Sequence, residues 1–462
     1  MFKNILSTAL ARVINAALTL VILLINTNNL GQEGLGTLGL VVLGITIILL
    51  FNNFIGGGAL VYLVPRQDLF KIMVPSYLWA ILISVFGAYL LSLFHLIPSE
   101  YTHHVLLLGL MHSLMTVNYN VLVGKEKIHT FNVISVIQVM ATVASLVYFI
   151  YYQGITEVVS FIYALFTGYS LGFILGVISI WPHITFTNLK GVGKTIRQII
   201  KYGKFIQTAN IIQMLNYRLS YYIIDFFMGR AALGVYNVGV QLTEGVWLVG
   251  KSVAMVQYAR ISNVGDELYA KRITIQLTKF TFILTFLILG VLIVLPESFY
   301  GAVLGDEFMS VRMIIILLAA GILATAISMM FSHYFTGVGK PKYNMIGSSI
   351  GFIFTLILGF SFIPKYGIIA AALTASVSYM ANMVYLMVIF IKFTGAKSSD
   401  FALKKDDVRF LWNEIRLIRR WETGDGRRET GIRKRESGDG KRETGIRKRE
   451  TGIRKQESGK II

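Results

Sequence analysis

Twelve long apolar stretches follow one another from near the N-terminus to about residue 391, separated by short polar gaps. They run roughly over 4–25, 35–55, 72–97, 105–123, 131–152, 158–181, 203–228, 231–256, 277–296, 311–336, 343–363 and 367–391. Each is about 19 residues or longer, enough for a helix to cross a hydrocarbon layer of roughly 30 Å. Basic residues keep to every second gap. Seventeen Lys and Arg, from Lys3 to Lys342, lie at the N-terminus and in the gaps after the even-numbered stretches. The other gaps hold only Arg230, Arg312 and Lys365. This positive-inside asymmetry predicts a multi-pass membrane protein with both termini in the cytoplasm.

Composition agrees with that reading. Of 462 residues, 55% are hydrophobic and only 15% charged, which does not describe an ordinary soluble domain. From Lys397 onward lie 20 of the 43 Lys+Arg and 12 of the 24 Asp+Glu, leaving a body of about +11. Most of that charge sits on loops that would face anionic lipid, so the overall +19 does not point to nucleic acid. The chain has no cysteine, which excludes disulfides, thiol catalysis and thiolate metal sites. Arg12 interrupts the first apolar run early, and the run continues past signal-peptide length, so it reads as a retained first helix. Pro65, Pro98, Pro182, Pro296 and Pro364 fit helix ends or connections, and Pro341 lies in the tenth connection. Pro75 is expected in the first turn of the third helix, where its missing N–H costs nothing.

The chain repeats itself. Leu35–Gly36 matches Leu233–Gly234 at an offset of 198, and at that offset Lys3 meets Lys201 and Gly31 meets Gly229. Gly124–Lys127 resembles Gly339–Lys342 further on. Six helices is an even number, so the two halves share one orientation and form a parallel repeat about an axis along the membrane normal. In transporters that arrangement places the substrate path between two lobes. The expected organisation is an all-α membrane protein of twelve transmembrane helices. Residues 1–182 form a first six-helix lobe, 183–202 a basic cytoplasmic linker and 203–396 a second six-helix lobe. Residues 397–462 form a charged tail.

Polar residues within the helices mark candidate chemistry, because each is costly unless it faces protein or water. On the first helix Asn4, Thr8, Arg12, Asn15, Thr19 and Asn26 fall within about 80° of arc. On the seventh, Gln207, Asn210, Gln213, Tyr217, Arg218, Tyr221 and Asp225 occupy about 140°. On the eighth, Asn237, Gln241, Glu244 and Lys251 share one face. Three polar stripes predict a common aqueous lumen; interhelical hydrogen bonding is the alternative. Arg218 lies mid-helix, too deep to reach the interface easily, and its possible internal partners are Asp225 and Glu244. Lys251 and Arg12 lie nearer helix ends, within reach of the interface. Glu244, more interior than Asp225, suits proton uptake and release.

Enzyme motifs fail on context. Gly34-Leu-Gly36-Thr-Leu-Gly39 matches a dinucleotide fingerprint but opens a membrane helix with no strand before it. Gly191-Val-Gly193-Lys194-Thr195 lacks the first glycine of a phosphate loop, since position 188 is Asn. His103–His104 has no carboxylate or histidine cluster beside it, so no metal is expected.

Tyr202–Gly203 through Asp225, then Gly229, Leu233-Gly-Val-Tyr236 and Glu244, resembles the second-lobe opening of polysaccharide (Wzx-type) flippases. So do Gly337-Val-Gly-Lys-Pro341, Ile363-Pro-Lys-Tyr-Gly367, Ala370-Ala-Ala-Leu373 and Leu30-Gly-Gln-Glu-Gly34-Leu-Gly36. The resemblance covers about residues 1–395. It implies the fold of the multidrug/oligosaccharidyl-lipid/polysaccharide exporter superfamily, two six-helix lobes around a central cavity. It also implies a plasma (inner) membrane location and a role in O-antigen or capsule export. The implied substrate is an oligosaccharide on undecaprenyl pyrophosphate, turned from the cytoplasmic to the periplasmic face. Membrane lipid and polysaccharide-assembly membrane proteins are the implied partners, and no cofactor is implied. Lumen cations of the family suit Arg218, Lys251 and Arg12, with Asn15, Asn210, Gln213, Tyr217, Tyr221, Asn237 and Gln241 as the polar lining. Glu244 and Asp225 are the residues available to couple a proton or sodium gradient. Glu244 and Lys251 align with Thr46 and Asn53, so the deep charges belong mainly to the second lobe.

The physics suits such a task. A pyrophosphate and its sugars cannot cross hydrocarbon unaided, whereas a polyprenyl tail can stay in lipid. Two rivals stand against it. A multidrug or cation antiporter would need acidic lumen residues, and the first two helices offer none. A membrane-embedded glycan polymerase or acyltransferase would need large outer loops or membrane-depth histidines. The tail repeats every seven residues, as in Arg442-Glu-Thr-Gly-Ile-Arg-Lys448. It has no apolar seam and a glycine in every unit, which predicts a disordered extension, not a coiled coil.

Overall fold

A computed structural model describes residues 2–264 and 266–402. The tail repeats lie outside the described residues. Every regular element among the described residues is helical. In chain order these are α1 (Phe2–Gly56), α2 (Gly58–Leu63), α3 (Leu69–Leu93), α4 (Thr102–Gly124), α5 (Ile128–Val147), α6 (Val158–Ile180), α7 (Val192–Gly245), α8 (Trp247–Val264), α9 (Glu267–Val294), α10 (Glu297–Leu304), α11 (Val311–Gly337) and α12 (Lys342–Thr394). Nine helices among the described residues are long and apolar enough to cross a membrane.

Three of the long helices are broken once each, at a glycine. The breaks are Gly31 in α1 (φ 63°, ψ −177°), Gly229 in α7 (φ 83°, ψ 178°) and Gly367 in α12 (φ 61°, ψ −142°). The first and second apolar stretches are thus one interrupted helix, as are the eleventh and twelfth. Only glycine takes a positive φ without a steric penalty, so a turn without a loop falls at these residues. The eighth stretch, expected as one helix over 231–256, is divided, because α7 ends at Gly245 and α8 starts at Trp247. Residues 192–202, read as part of a connection, are the first turns of α7. Pro75 departs from expectation. With α3 starting at Leu69, it lies inside the second turn and removes the N–H that would bond the Lys71 carbonyl.

Each break in the first pair has a polar partner. Past Gly31, the Gln32 backbone N–H donates to Glu307 Oε2 at 3.0 Å, and Asn28 Nδ2 donates to the Val303 carbonyl at 3.0 Å. Glu307 lies in the short turn Asp306–Phe308 that follows α10, so a connection of the second half satisfies a helix end in the first. At the second break, Asp225 and Arg230 straddle Gly229 in an ion pair of 2.5 Å.

Beyond these breaks the second segments of α1 and α7 cross at backbone contact. A Cβ on Gly36 would stand 2.0 Å from the Arg230 carbonyl oxygen, and one on Gly234 would stand 1.9 Å from that of Gln32. Helices in lipid gain their association from such close approach and from interhelical hydrogen bonds. Buried Asn216 of α7 supplies the second kind. Its Oδ1 accepts from Thr355 Oγ1 and Ser378 Oγ of α12, both at 2.6 Å. Gln257 of α8 does the same, donating to Thr274 Oγ1 at 2.8 Å and to the Met330 carbonyl at 2.9 Å. Large apolar side chains point outward, among them Val294, 80% exposed, and Phe86, 70% exposed. Such side chains on spanning helices suit a lipid surround, where the helices satisfy their own backbone groups.

Candidate functional site

Two cavities with polar groups set in largely apolar walls lie within the helical body. The first, about 420 Å³, takes its lining from both halves of the chain. Thr19, Asn26, Gln138, Thr142 and Tyr169 come from α1, α5 and α6, and Arg218, Tyr221, Asn237 and Gln241 from α7. Because Gly229 redirects α7, residues on both sides of the break reach one space. The second cavity, about 1060 Å³, is lined by the second half alone, including Asn210, Gln213, Tyr217 and Lys251.

A chain of hydrogen bonds runs along the α7 wall of the first cavity. Arg218 Nη2 meets Glu244 Oε2 at 2.7 Å, and Arg218 Nη1 donates to Tyr221 Oη at 3.2 Å. Tyr221 Oη donates to Asn237 Oδ1 at 3.0 Å, which also accepts from Gln241 Nε2 at 3.1 Å. Asn237 Nδ2 reaches the Leu35 carbonyl at 3.4 Å, so the chain ends on α1. The guanidinium also lies 5.1 Å from the centroid of the Tyr221 ring. Its five donors in a planar fork serve several partners at once, which an ammonium does less well. The pair with Glu244 is only partly shielded, with side chains 26% and 19% exposed. The other carboxylate oxygen, Glu244 Oε1, is buried with no hydrogen-bond partner.

Tyr217 and Arg218, adjacent in sequence, serve different cavities. Successive helical residues diverge by about 100°. Tyr217 packs on Trp247 and Tyr379, with ring centroids 5.2 Å and 5.1 Å away. The Tyr217 hydroxyl accepts from Gln213 Nε2 at 2.9 Å.

The predicted lumen residues therefore do not share one space. Arg218, Tyr221, Asn237 and Gln241 line the first cavity, while Asn210, Gln213, Tyr217 and Lys251 line the second. Asn210 donates to Gln207 Oε1 at 3.2 Å. Asn15 lines neither cavity and donates to Ser135 Oγ of α5 at 2.9 Å, tying two helices together. Arg12 is exposed and also lines neither. Asp225 is taken up by Arg230 at the α7 break. Gln138, Thr142 and Tyr169 were missed, although Gln138 and Thr142, four apart on the fifth stretch, form a polar pair of the same kind as the stripes on other helices. Thr325, Ser328, Ser332 and Thr336, spaced 3, 4 and 4 on α11, are another legible stripe, and all four line the second cavity. No group of three or more His, Asp or Glu placed to hold a metal occurs among the described residues.

No protein-family model matches the chain. It is 21% identical over 195 residues to a protein of Haloferax volcanii named as the low-salt glycan biosynthesis flippase Agl15, covering 41% of each chain. It is 21% identical over 204 residues to a protein of Shigella flexneri named as an O-antigen transporter, covering 43% of this chain and 48% of that one. The matches span less than half the length of these relatives. Among solved structures, the lipid II flippase MurJ in an inward closed conformation superposes with a TM-score of 0.66 at 17% identity, over 87% of this chain and 89% of that one. An inward-facing multidrug resistance MATE family transporter of the MOP superfamily superposes with a TM-score of 0.64 at 16% identity, over 84% and 98%. By sequence the chain is similar over part of its length to proteins named as a glycan flippase and an O-antigen transporter, and its fold is that seen in MurJ and in the MATE transporter.

Proposed function

We propose that this protein moves an oligosaccharide linked to undecaprenyl pyrophosphate from the cytoplasmic to the periplasmic face of the plasma membrane, by alternating access between two six-helix lobes. Counting each glycine-broken helix as two spans brings the nine long helices to twelve. The 198-residue offset between the Gly31 and Gly229 breaks supports a parallel repeat. The distribution of basic residues over the loops supports both termini in the cytoplasm. Membrane lipid surrounds the protein, and polysaccharide-assembly proteins are its expected neighbours.

The observation that carries this reading is the first cavity: apolar walls from both halves enclose a polar set of hydroxyls, amides and the Arg218 guanidinium, whose carboxylate partner Glu244 is not itself part of the lining. That is the inventory for a sugar-bearing anion. An organic cation, the cargo of the antiporter reading, would meet the guanidinium on that lining, and the carboxylate beside it, Glu244, is already paired with Arg218. Arg218 is already paired, so a pyrophosphate must displace Glu244 to claim it. Protonation of Glu244 would weaken the pair and release the guanidinium, which gives proton uptake a way to admit cargo. Asp225, held by Arg230 beside the Gly229 break, is the other acidic group available for coupling. The polyprenyl tail stays in lipid while the headgroup crosses the polar space.

The test is glycan export in cells carrying Arg218→Ala or Arg218→Lys at matched protein level. Export should be abolished by the alanine and partly kept by the lysine. Normal export with Arg218→Ala would reduce the residue to a structural tie.

A further inference from the structure

The second cavity has its own chemistry. Its lining carries three ammonium groups, Lys251, Lys340 and Lys342, and no carboxylate. None of the three enters an ion pair among the described residues. They rest instead by aromatic rings. Lys340 Nζ lies 3.6 Å from the Phe393 centroid, Lys342 Nζ 5.2 Å from that of Tyr343, and Lys251 Nζ 5.8 Å from that of Trp247. A ring face steadies an ammonium without cancelling its charge. Three cations lining one open cavity, with no carboxylate among its lining residues, favour an anion there.

The neutral groups narrow the class further. Thr325, Ser328 and Thr336 donate their hydroxyl protons to carbonyls of their own helix, at 3.0, 2.8 and 2.9 Å. What these oxygens retain for a ligand is acceptor lone pairs. Asn344 uses its amide N–H groups on the Ser332 carbonyl and on Thr336 Oγ1, and its Oδ1 is buried without a partner. A matching ligand brings negative charge for the lysines and hydroxyl donors for the acceptors.

We propose that this cavity is a second binding site, separate from the one at Arg218, and that it takes a sugar bearing a phosphate ester. The site goes beyond the translocation reading and does not depend on it, because binding here is read without any measure of transport.

The experiment titrates the purified full-length protein in detergent with glucose 1-phosphate and with inorganic phosphate, read by calorimetry. Saturable binding is expected, tighter for glucose 1-phosphate. Charge-assisted contacts of this kind predict a loss of at least about tenfold in the variant Lys251→Gln/Lys340→Gln/Lys342→Gln. Arginine at the same three positions should keep binding, and elution profile and melting temperature check that each variant is folded. Phosphatidic acid added to the micelles separates the sources of the phosphate. Lack of competition assigns the site to soluble sugar phosphates and upholds it, whereas displacement of glucose 1-phosphate by phosphatidic acid, which carries no sugar, assigns it to lipid headgroups and overturns the sugar assignment. Absence of saturable binding overturns the proposal, as does equal affinity for the two probes. Binding lost in Arg218→Gln but kept in the triple lysine variant places the anion in the first cavity and also overturns it.

Discussion

Gly36 and Gly234 are reciprocal: each packs on the backbone carbonyl that lies four residues before the other. Gly36 meets the carbonyl of Arg230, and Gly234 that of Gln32. Both glycines and both carbonyls are 198 residues apart, so the two contacts repeat one another across the crossing of α1 and α7. A Cβ at either position would come within 2.0 Å of an oxygen, and backbone cannot yield as a flexible side chain would. Gly36→Ala and Gly234→Ala are each expected to destabilise the protein by about 1–3 kcal/mol, the range for overpacking a tight site. Thermal melting of the detergent-solubilised variants checks this. Because both open the same crossing, the double variant should cost less than the sum of the two.

The Arg218–Glu244 pair should show coupling in a double-mutant cycle. Arg218→Gln, Glu244→Gln and the double variant, compared by melting, are expected to give an interaction energy of about 0.5–3 kcal/mol. Partial exposure of both side chains favours the lower part of that range. Zero coupling would mean that the two charges are independently solvated. In export, Glu244→Gln mimics the protonated form, so its dependence on an imposed proton gradient should be weaker than that of the unsubstituted protein.

Glu307 is expected to stabilise the restart of α1 after Gly31. Removing its carboxylate in Glu307→Ala leaves the Gln32 N–H without its partner at the break. The site is exposed, so water replaces part of the bond, and a loss of about 0.5–1.5 kcal/mol is the expected cost. Glu307→Gln, which keeps an acceptor oxygen, should lose less. Hydrogen exchange at Gln32 reads the same event locally, and unchanged protection in the alanine variant would count against it.

Topology offers a separate check. Reporters fused after Lys127 and after Lys190 should read cytoplasmic, and fusions near His103 and Gly305 periplasmic. A periplasmic signal at Lys190 would contradict an even number of spans in the first half.

The chain's own sequence determined the membrane-spanning character of its helices and paired Gly31 with Gly229 across the repeat, while the structure made these the points where α1 and α7 break. Apolar length is a local property, and so is the need for glycine where φ turns positive, which is why the Gly31–Gly229 correspondence was legible before any contact was known. Helical spacing also marked out Arg218, Tyr221, Asn237 and Gln241. Tertiary structure decided what each polar face meets. Asp225 and Glu244 were both open to Arg218, and packing gave Glu244 to it while Arg230, read only as a loop charge, took Asp225. Asn15 shared a stripe with Thr19 and Asn26, yet it bonds across to Ser135 while they line the first cavity. Lys340 and Lys342 marked membrane orientation along the chain and, once folded, the wall of a cavity. Periodicity assigns a residue to a face of its own helix, whereas its partner is set by helix crossings between residues far apart in sequence. No one-dimensional pattern contains those crossings.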